Sequence, residues 1–150
     1  MAKDVDVRTE TVIDRPCAEV ADYAGDPTHA PEWYVNIASV EWRTPPPVAV
    51  GSQLDFVASF LGRRLAYTYE VVDFEPGRRM VMRTADGPFP METTYTWEPL
   101  GDDSTRMTLR NRGRPSGFST LAGPVLAAAM KRANRKDLAL LRERLERPTG

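Results

Sequence analysis

Residues 118–146 read FSTLAGPVLAAAMKRANRKDLALLRERLE, and this stretch decides how the rest of the chain is interpreted. Ala127, Met130, Asn134, Leu138, Leu141 and Leu145 recur at three- and four-residue steps, which places them on one face of a helix. Lys131, Arg135, Arg142 and Glu146 fall on another face, suited to water. Residues 121–133 are apolar nearly all round, so this half is expected to lie deeper than the second. A helix of about 29 residues is roughly 43 Å long. It cannot bury its stripe alone, so the remaining chain has to supply a matching surface.

Composition narrows what that surface belongs to. The 150 residues suit one domain, 1–150, with a single core. The hydrophobic fraction of 41% and the charged fraction of 27% are those of an ordinary globular protein. A net charge of −1 gives no electrostatic reason to expect nucleic acid or an anionic membrane as partner. No apolar run reaches the ~18 residues of a spanning helix. The opening residues Met1-Ala2-Lys3-Asp4-Val5-Asp6 carry no apolar signal segment, and Cys17 is the only cysteine. Both features predict a cytoplasmic protein without disulfides.

Residues 5–13 alternate: Val5, Val7, Thr9, Thr11 and Ile13 share one side of a predicted strand. Asp14-Arg15-Pro16 stops it, and short helices are expected at residues 17–23 and 27–33. Further strands are predicted at 37–43, 51–60, 64–75 and 79–84. Their boundaries fall at Pro45-Pro46-Pro47, Leu61-Gly62-Arg63, Pro76-Gly77 and Asp86-Gly87-Pro88. The clearest alternation follows. Met91, Thr93, Tyr95 and Trp97 share one side of a strand, and after the turn at Gly101-Asp102-Asp103 so do Thr105, Met107, Leu109 and Asn111.

Short connections imply antiparallel pairing. Each strand has a charged face for water and an apolar face that needs a cover. The long C-terminal helix is the available cover. The predicted architecture is α+β: a seven-stranded curved antiparallel sheet around that helix, with two short helices after the first strand.

The inward face is unusual in kind. It carries Phe56, Tyr67, Tyr69, Met80, Met82, Met91, Thr93, Tyr95, Met107 and Asn111, opposite Leu126, Met130 and Asn134 of the helix. A core built for stability alone favours Leu, Ile, Val and Phe. Methionine and tyrosine adapt to irregular apolar surfaces, and tyrosine adds a polar tip. These residues by themselves leave two readings open: an apolar cavity with a few polar contacts, or a packed core with satisfied tyrosines.

The run Thr11-Val12-Ile13-Asp14-Arg15-Pro16-Cys17-Ala18-Glu19-Val20, followed by Gly25-Asp26-Pro27 and Trp33, resembles the opening of the SRPBCC superfamily. This is the START-like, birch-pollen-allergen-like group that includes polyketide cyclase/dehydrase-like proteins. Val50-Gly51-Ser52, the run from Tyr69 to Pro76, the run from Thr93 to Pro99 and the closing residues 134–141 are similar too. The resemblance implies a helix-grip fold with a hydrophobic cavity between sheet and long helix. It embraces lipid carriers, hormone receptors and aromatase/cyclases, and the fold does not choose among them.

The expected function is therefore binding of a small hydrophobic or aromatic molecule, polyketide- or lipid-like, by a monomer or homodimer. The alternative is a metal-free aromatase/cyclase using pocket tyrosines and asparagines as acid/base and orienting groups. Tyr67, Tyr69, Tyr95, Asn111 and Asn134 are the polar candidates, and Trp33 is expected to close the mouth. Asp73 and Glu32 are the possible bases. His29, the sole histidine, reads as a surface-loop residue, and Cys17 as a small residue at a helix start. One histidine and one cysteine assemble no zinc-type cluster, and no Gly-rich nucleotide loop occurs, so neither metal nor cofactor is expected. Arg63, Arg64, Arg78 and Arg79 at hairpin ends, and Arg110, Arg112 and Arg114 on one strand face, are expected to be solvated.

Overall fold

The computed structural model describes residues 5–114 and 123–147. Seven strands form one sheet: β1 (Val5–Ile13), β2 (Ile37–Trp42), β3 (Gln53–Phe60), β4 (Arg63–Glu75), β5 (Arg79–Asp86), β6 (Met91–Gly101) and β7 (Ser104–Gly113). Their order is β1-β7-β6-β5-β4-β3-β2, and every neighbouring pair is antiparallel. Helices α1 (Cys17–Ala24) and α2 (Ala30–Trp33) fall between β1 and β2, and α3 (Gly123–Glu146) follows β7. The helix expected at residues 27–33 is split. A 3-10 turn at Pro27–His29 leads into α2, with the Asp26 carboxylate accepting the Thr28 N–H at 3.0 Å.

Strands β1 and β2 are consecutive in sequence yet lie at opposite edges of the sheet. The segment between them must cross from edge to edge. It does so with α1 packed on β6 and β7, and α2 packed on β2 and α3. The register between β4 and β5 breaks at Thr68/Tyr69 and again between Val71 and Asp73. Such bulges bend a strand and increase its twist, which helps the sheet curl around α3.

At 24 residues, α3 is roughly 36 Å long. Residues 118–122 of the predicted helix lie outside the described residues. The burial gradient along α3 runs opposite to the expected one. Leu138 and Leu141 in the second half are fully buried, whereas Val125 is 53% exposed and Pro124 and Ala128 are also exposed. The second half rests on packed side chains of the sheet, while the first half stands over a void. Two contacts lock the far end. Arg15 Nε donates to the Leu145 carbonyl at 2.7 Å, and the Asp14 N–H donates to Glu146 at 2.8 Å. The first satisfies one of the carbonyls that a helix C-terminus leaves without an internal partner.

Buried residues form two clusters. The larger contains Ile13, Val20, Trp33, Leu54, Val71, Met80, Met107, Leu138 and Leu141. The smaller contains Leu65, Phe89 and Met91, with Phe60, Tyr67, Tyr69 and Met130 packed against it. Among the described residues no helix is long and apolar enough to cross a membrane.

Candidate ligand cavity

Between α3 and the concave face of the sheet lies a cavity of about 160 Å³, lined by members of both clusters and partly open to solvent. The alternation of the strands decides what reaches it. β3 and β4 contribute Phe56, Tyr67 and Tyr69, and β5 contributes Met82. Met91, Thr93 and Tyr95 project from alternate positions of β6, and Asn111 stands opposite Thr93 on β7. From α3 come Leu126, Met130, Ala133 and Asn134, one face of the first half of the helix.

Three predicted lining residues are elsewhere. Met80 and Met107 are 1% and 0% exposed and belong to the packed core. They share the inward face with the lining residues, but they lie where other side chains meet them directly. Trp33, expected at the mouth, is 0% exposed within the same core. Its ring packs on Tyr34 and Tyr95, with centroids 4.2 and 5.7 Å away, and its indole N–H finds no hydrogen-bond partner among the described residues. At the end of α2 the backbone turns extended at Tyr34, so Tyr34 rather than Trp33 reaches the cavity.

The polar groups of the cavity form two hydrogen-bonded arrangements. The Tyr34 and Tyr95 hydroxyl oxygens are 2.6 Å apart. Separately, Thr93 Oγ1 donates to Asn111 Oδ1 at 2.6 Å, and Asn111 Nδ2 donates to Asn134 Oδ1 at 3.0 Å. Asn134 Nδ2 then reaches Asp137 Oδ2 at 3.5 Å, while the Val35 N–H donates to Asp137 Oδ1 at 2.9 Å. The chain thus joins β6, β7, α3 and the segment after α2.

Asp137 joins this set without having been among the sequence-based candidates. It lines the cavity and is 2% exposed. Burial pushes its carboxyl up from 3.8 to about 6, against the opposing pull of the Val35 N–H and the Asn134 amide. The sequence carries a signal for it: Asp137 lies three residues after Asn134 and seven after Met130, on the same helical face. Burial also raises the phenols. Tyr69 is pushed up to about 12; Tyr95 and Tyr34 also go up, Tyr34 with a further push from its neighbours Tyr95 and Asp137. These phenols are neutral donors and acceptors near neutral pH, not bases.

The other acidic candidates point away from the cavity. Asp73 accepts from Arg79 Nε at 2.7 Å, both side chains being about two-fifths exposed. Glu32 accepts the Tyr23 hydroxyl and sits 3.4 Å from His29, which stacks on Tyr23. That group is a surface cluster. Arg110 and Arg112 lie on the outer face, paired with Asp6 and Glu92. Cys17 is half-buried and donates to the Gly77 carbonyl. Among the described residues no three metal-ligating side chains come together.

A family model described as "Polyketide cyclase / dehydrase and lipid transport" matches residues 4–146. No curated protein matches the chain in sequence. Among solved structures, a START superfamily protein from Mycobacterium smegmatis superposes with a TM-score of 0.82 at 17% identity, over 94% of this chain and 97% of that one. The protein TTHA0849 from Thermus thermophilus gives 0.80 at 22% identity, over 93% and 96%. The Zhui aromatase/cyclase from Streptomyces sp. R1128 gives 0.78 at 17% identity, over 97% and 95%. At these identities the likeness is one of fold, the helix-grip arrangement of curled sheet and long helix.

Proposed function

Because the chain belongs to the polyketide cyclase / dehydrase and lipid transport family, we propose that its cavity binds a small hydrophobic or aromatic molecule, polyketide- or lipid-like. The observation that carries this reading is the void itself, left between the first half of α3 and the sheet and walled by aromatic and methionine side chains. Natural interiors are close-packed, so an unfilled apolar space of this size favours an occupant. Its volume of about 160 Å³ is close to the ~150 Å³ that takes up a benzene ring. One ring fits inside, and a longer ligand extends through the open side. Tyr69, Tyr95, Asn111 and Asn134 orient the polar end of such a ligand.

Thermal-shift and NMR titration with one-ring aromatics tests the reading. Binding is expected in the wild type, and Ala133→Trp, which fills the void from α3, is expected to abolish it while the fold persists. Equal binding by the filled variant would refute the cavity as the site.

A second reading, a metal-free aromatase/cyclase, draws on Asp137 lying within electrostatic reach of the Tyr34–Tyr95 pair. A phenol donates to a substrate ketone oxygen, and the Asp137 carboxylate takes the adjacent C–H proton, giving a hydrogen-bonded enolate and a neutral carboxyl. This reading expects Tyr95→Phe and Asp137→Asn to lower turnover of a polyketone by roughly 10²–10⁴-fold with binding retained. Turnover unaffected by either change leaves the passive binder.

A further inference from the structure

Asp137 is the one charged side chain among the described residues that line the cavity; every other lining group is apolar, a phenol, a hydroxyl or a carboxamide. Its hydrogen-bond partners are neutral too, an amide N–H from Val35 and the amide of Asn134. A carboxylate buried without a counter-ion is costly, and a cation that joins it recovers much of that cost. The walls around it are rich in aromatic rings, whose faces attract cations. An anionic ligand meets the opposite conditions: a buried negative charge and, among the described residues, no cationic lining group to neutralise it.

We infer that the cavity selects a protonated aromatic amine, its ammonium group set against the Asp137 carboxylate and its ring among Phe56, Tyr69 and Phe89. The inference deepens the reading of the cavity as a ligand site and rests on it. Acidic ligands, fatty acids and aryl carboxylates among them, are disfavoured.

Three probes of matched shape test this: benzylamine, benzyl alcohol and benzoate, titrated by NMR at pH 7.5 into the wild type and Asp137→Asn. In the wild type the amine is expected to bind at least tenfold tighter than the alcohol, and benzoate at least tenfold weaker than the alcohol. In Asp137→Asn the amine should lose its advantage over the alcohol. An amine no tighter than the alcohol, or an advantage that persists in Asp137→Asn, overturns the inference while the alcohol's binding preserves the cavity reading. Failure of all three probes to bind defeats both.

A measurement on the wild type alone guards against a variant that does not fold. The titratable groups facing Asp137 are the phenols of Tyr34, after α2, and Tyr95, on β6, and both stay protonated below neutral pH. On α3 itself, Arg135 and Lys136 are exposed. With the carboxyl titrating near 6, amine affinity is expected to fall about tenfold between pH 7 and pH 5, and alcohol affinity to stay level. Parallel pH profiles for the two probes would overturn the assignment.

Discussion

The hydroxyl oxygens of Tyr34 and Tyr95 meet 2.6 Å apart, one supplied by the segment after α2 and the other by the middle of the sheet. Sixty-one residues of chain separate them. Tyr95 is buried and Tyr34 half-buried, and the two hydroxyls satisfy each other with one hydrogen bond at the cavity wall.

Removing one partner orphans the other. Tyr34→Phe and Tyr95→Phe are each expected to cost about 1–3 kcal/mol in urea unfolding. The double variant, with two apolar rings in contact, is expected to cost clearly less than the sum. Additive losses would mean the pair is not coupled.

Asp137 makes stability depend on pH in a particular direction. Its folded carboxyl titrates near 6, above the 3.8 of the free group, so the folded state binds the proton more tightly. Its stabilising contribution is complete below about pH 4 and is lost as pH rises through 6. Asp137→Asn keeps an oxygen for the Val35 N–H and has no charge to bury. Relative to wild type, the variant should therefore gain roughly 2–3 kcal/mol between pH 4 and pH 7.5. The difference between the two proteins, measured by urea unfolding at each pH, cancels the opposite trends of Asp6, Asp55, Glu32 and Glu92, whose carboxyls are lowered. A flat difference contradicts this prediction.

The two halves of α3 should respond differently to truncation. Leu141→Ala leaves a hole in packed surroundings and is expected to cost about 2–5 kcal/mol. Met130→Ala only enlarges an existing space that is partly open, and is expected to cost about 1 kcal/mol, below the usual range for buried methionine. Chemical unfolding of both variants checks the contrast.

Gly87 has a φ of +154°, and a Cβ there would come within 2.8 Å of Tyr67 Cδ1. Gly87→Ala should displace the Tyr67 ring from the cavity wall and cost about 1–3 kcal/mol. Thermal unfolding reads the cost, and weakened binding of the aromatic probes reads the displaced ring.

The strands, and the pairing of those joined by short turns, were legible because their signals are local; the pairing of β1 with β7, far apart in the chain, was not. Pro76-Gly77, Gly62 and Gly87 mark reversals, and the alternation of Met91, Thr93, Tyr95 and Trp97 marks a face. Depth along that face was not legible. Alternation places Met80 and Met82 on the same side, yet one is packed in the core and the other lines the cavity, because what lies above each depends on where α3 and α1 settle. Tyr34 takes the place expected of Trp33 for a similar reason: the exit angle of a one-turn helix decides which ring faces the void. Asp137 was not picked out, because its partners Val35 and Asn134 are brought together only by the fold.

The row from Thr93 through Asn111 and Asn134 to Asp137 has a sense as well as a path, since a carboxylate at its end can only accept. Give that carboxyl a proton and it can donate to Asn134; each amide can then turn over, and Thr93 becomes the terminal acceptor. The backbone need not move for this. The proton count on one helix residue is thereby written, as an inverted polarity, into a hydroxyl two strands deep in the sheet.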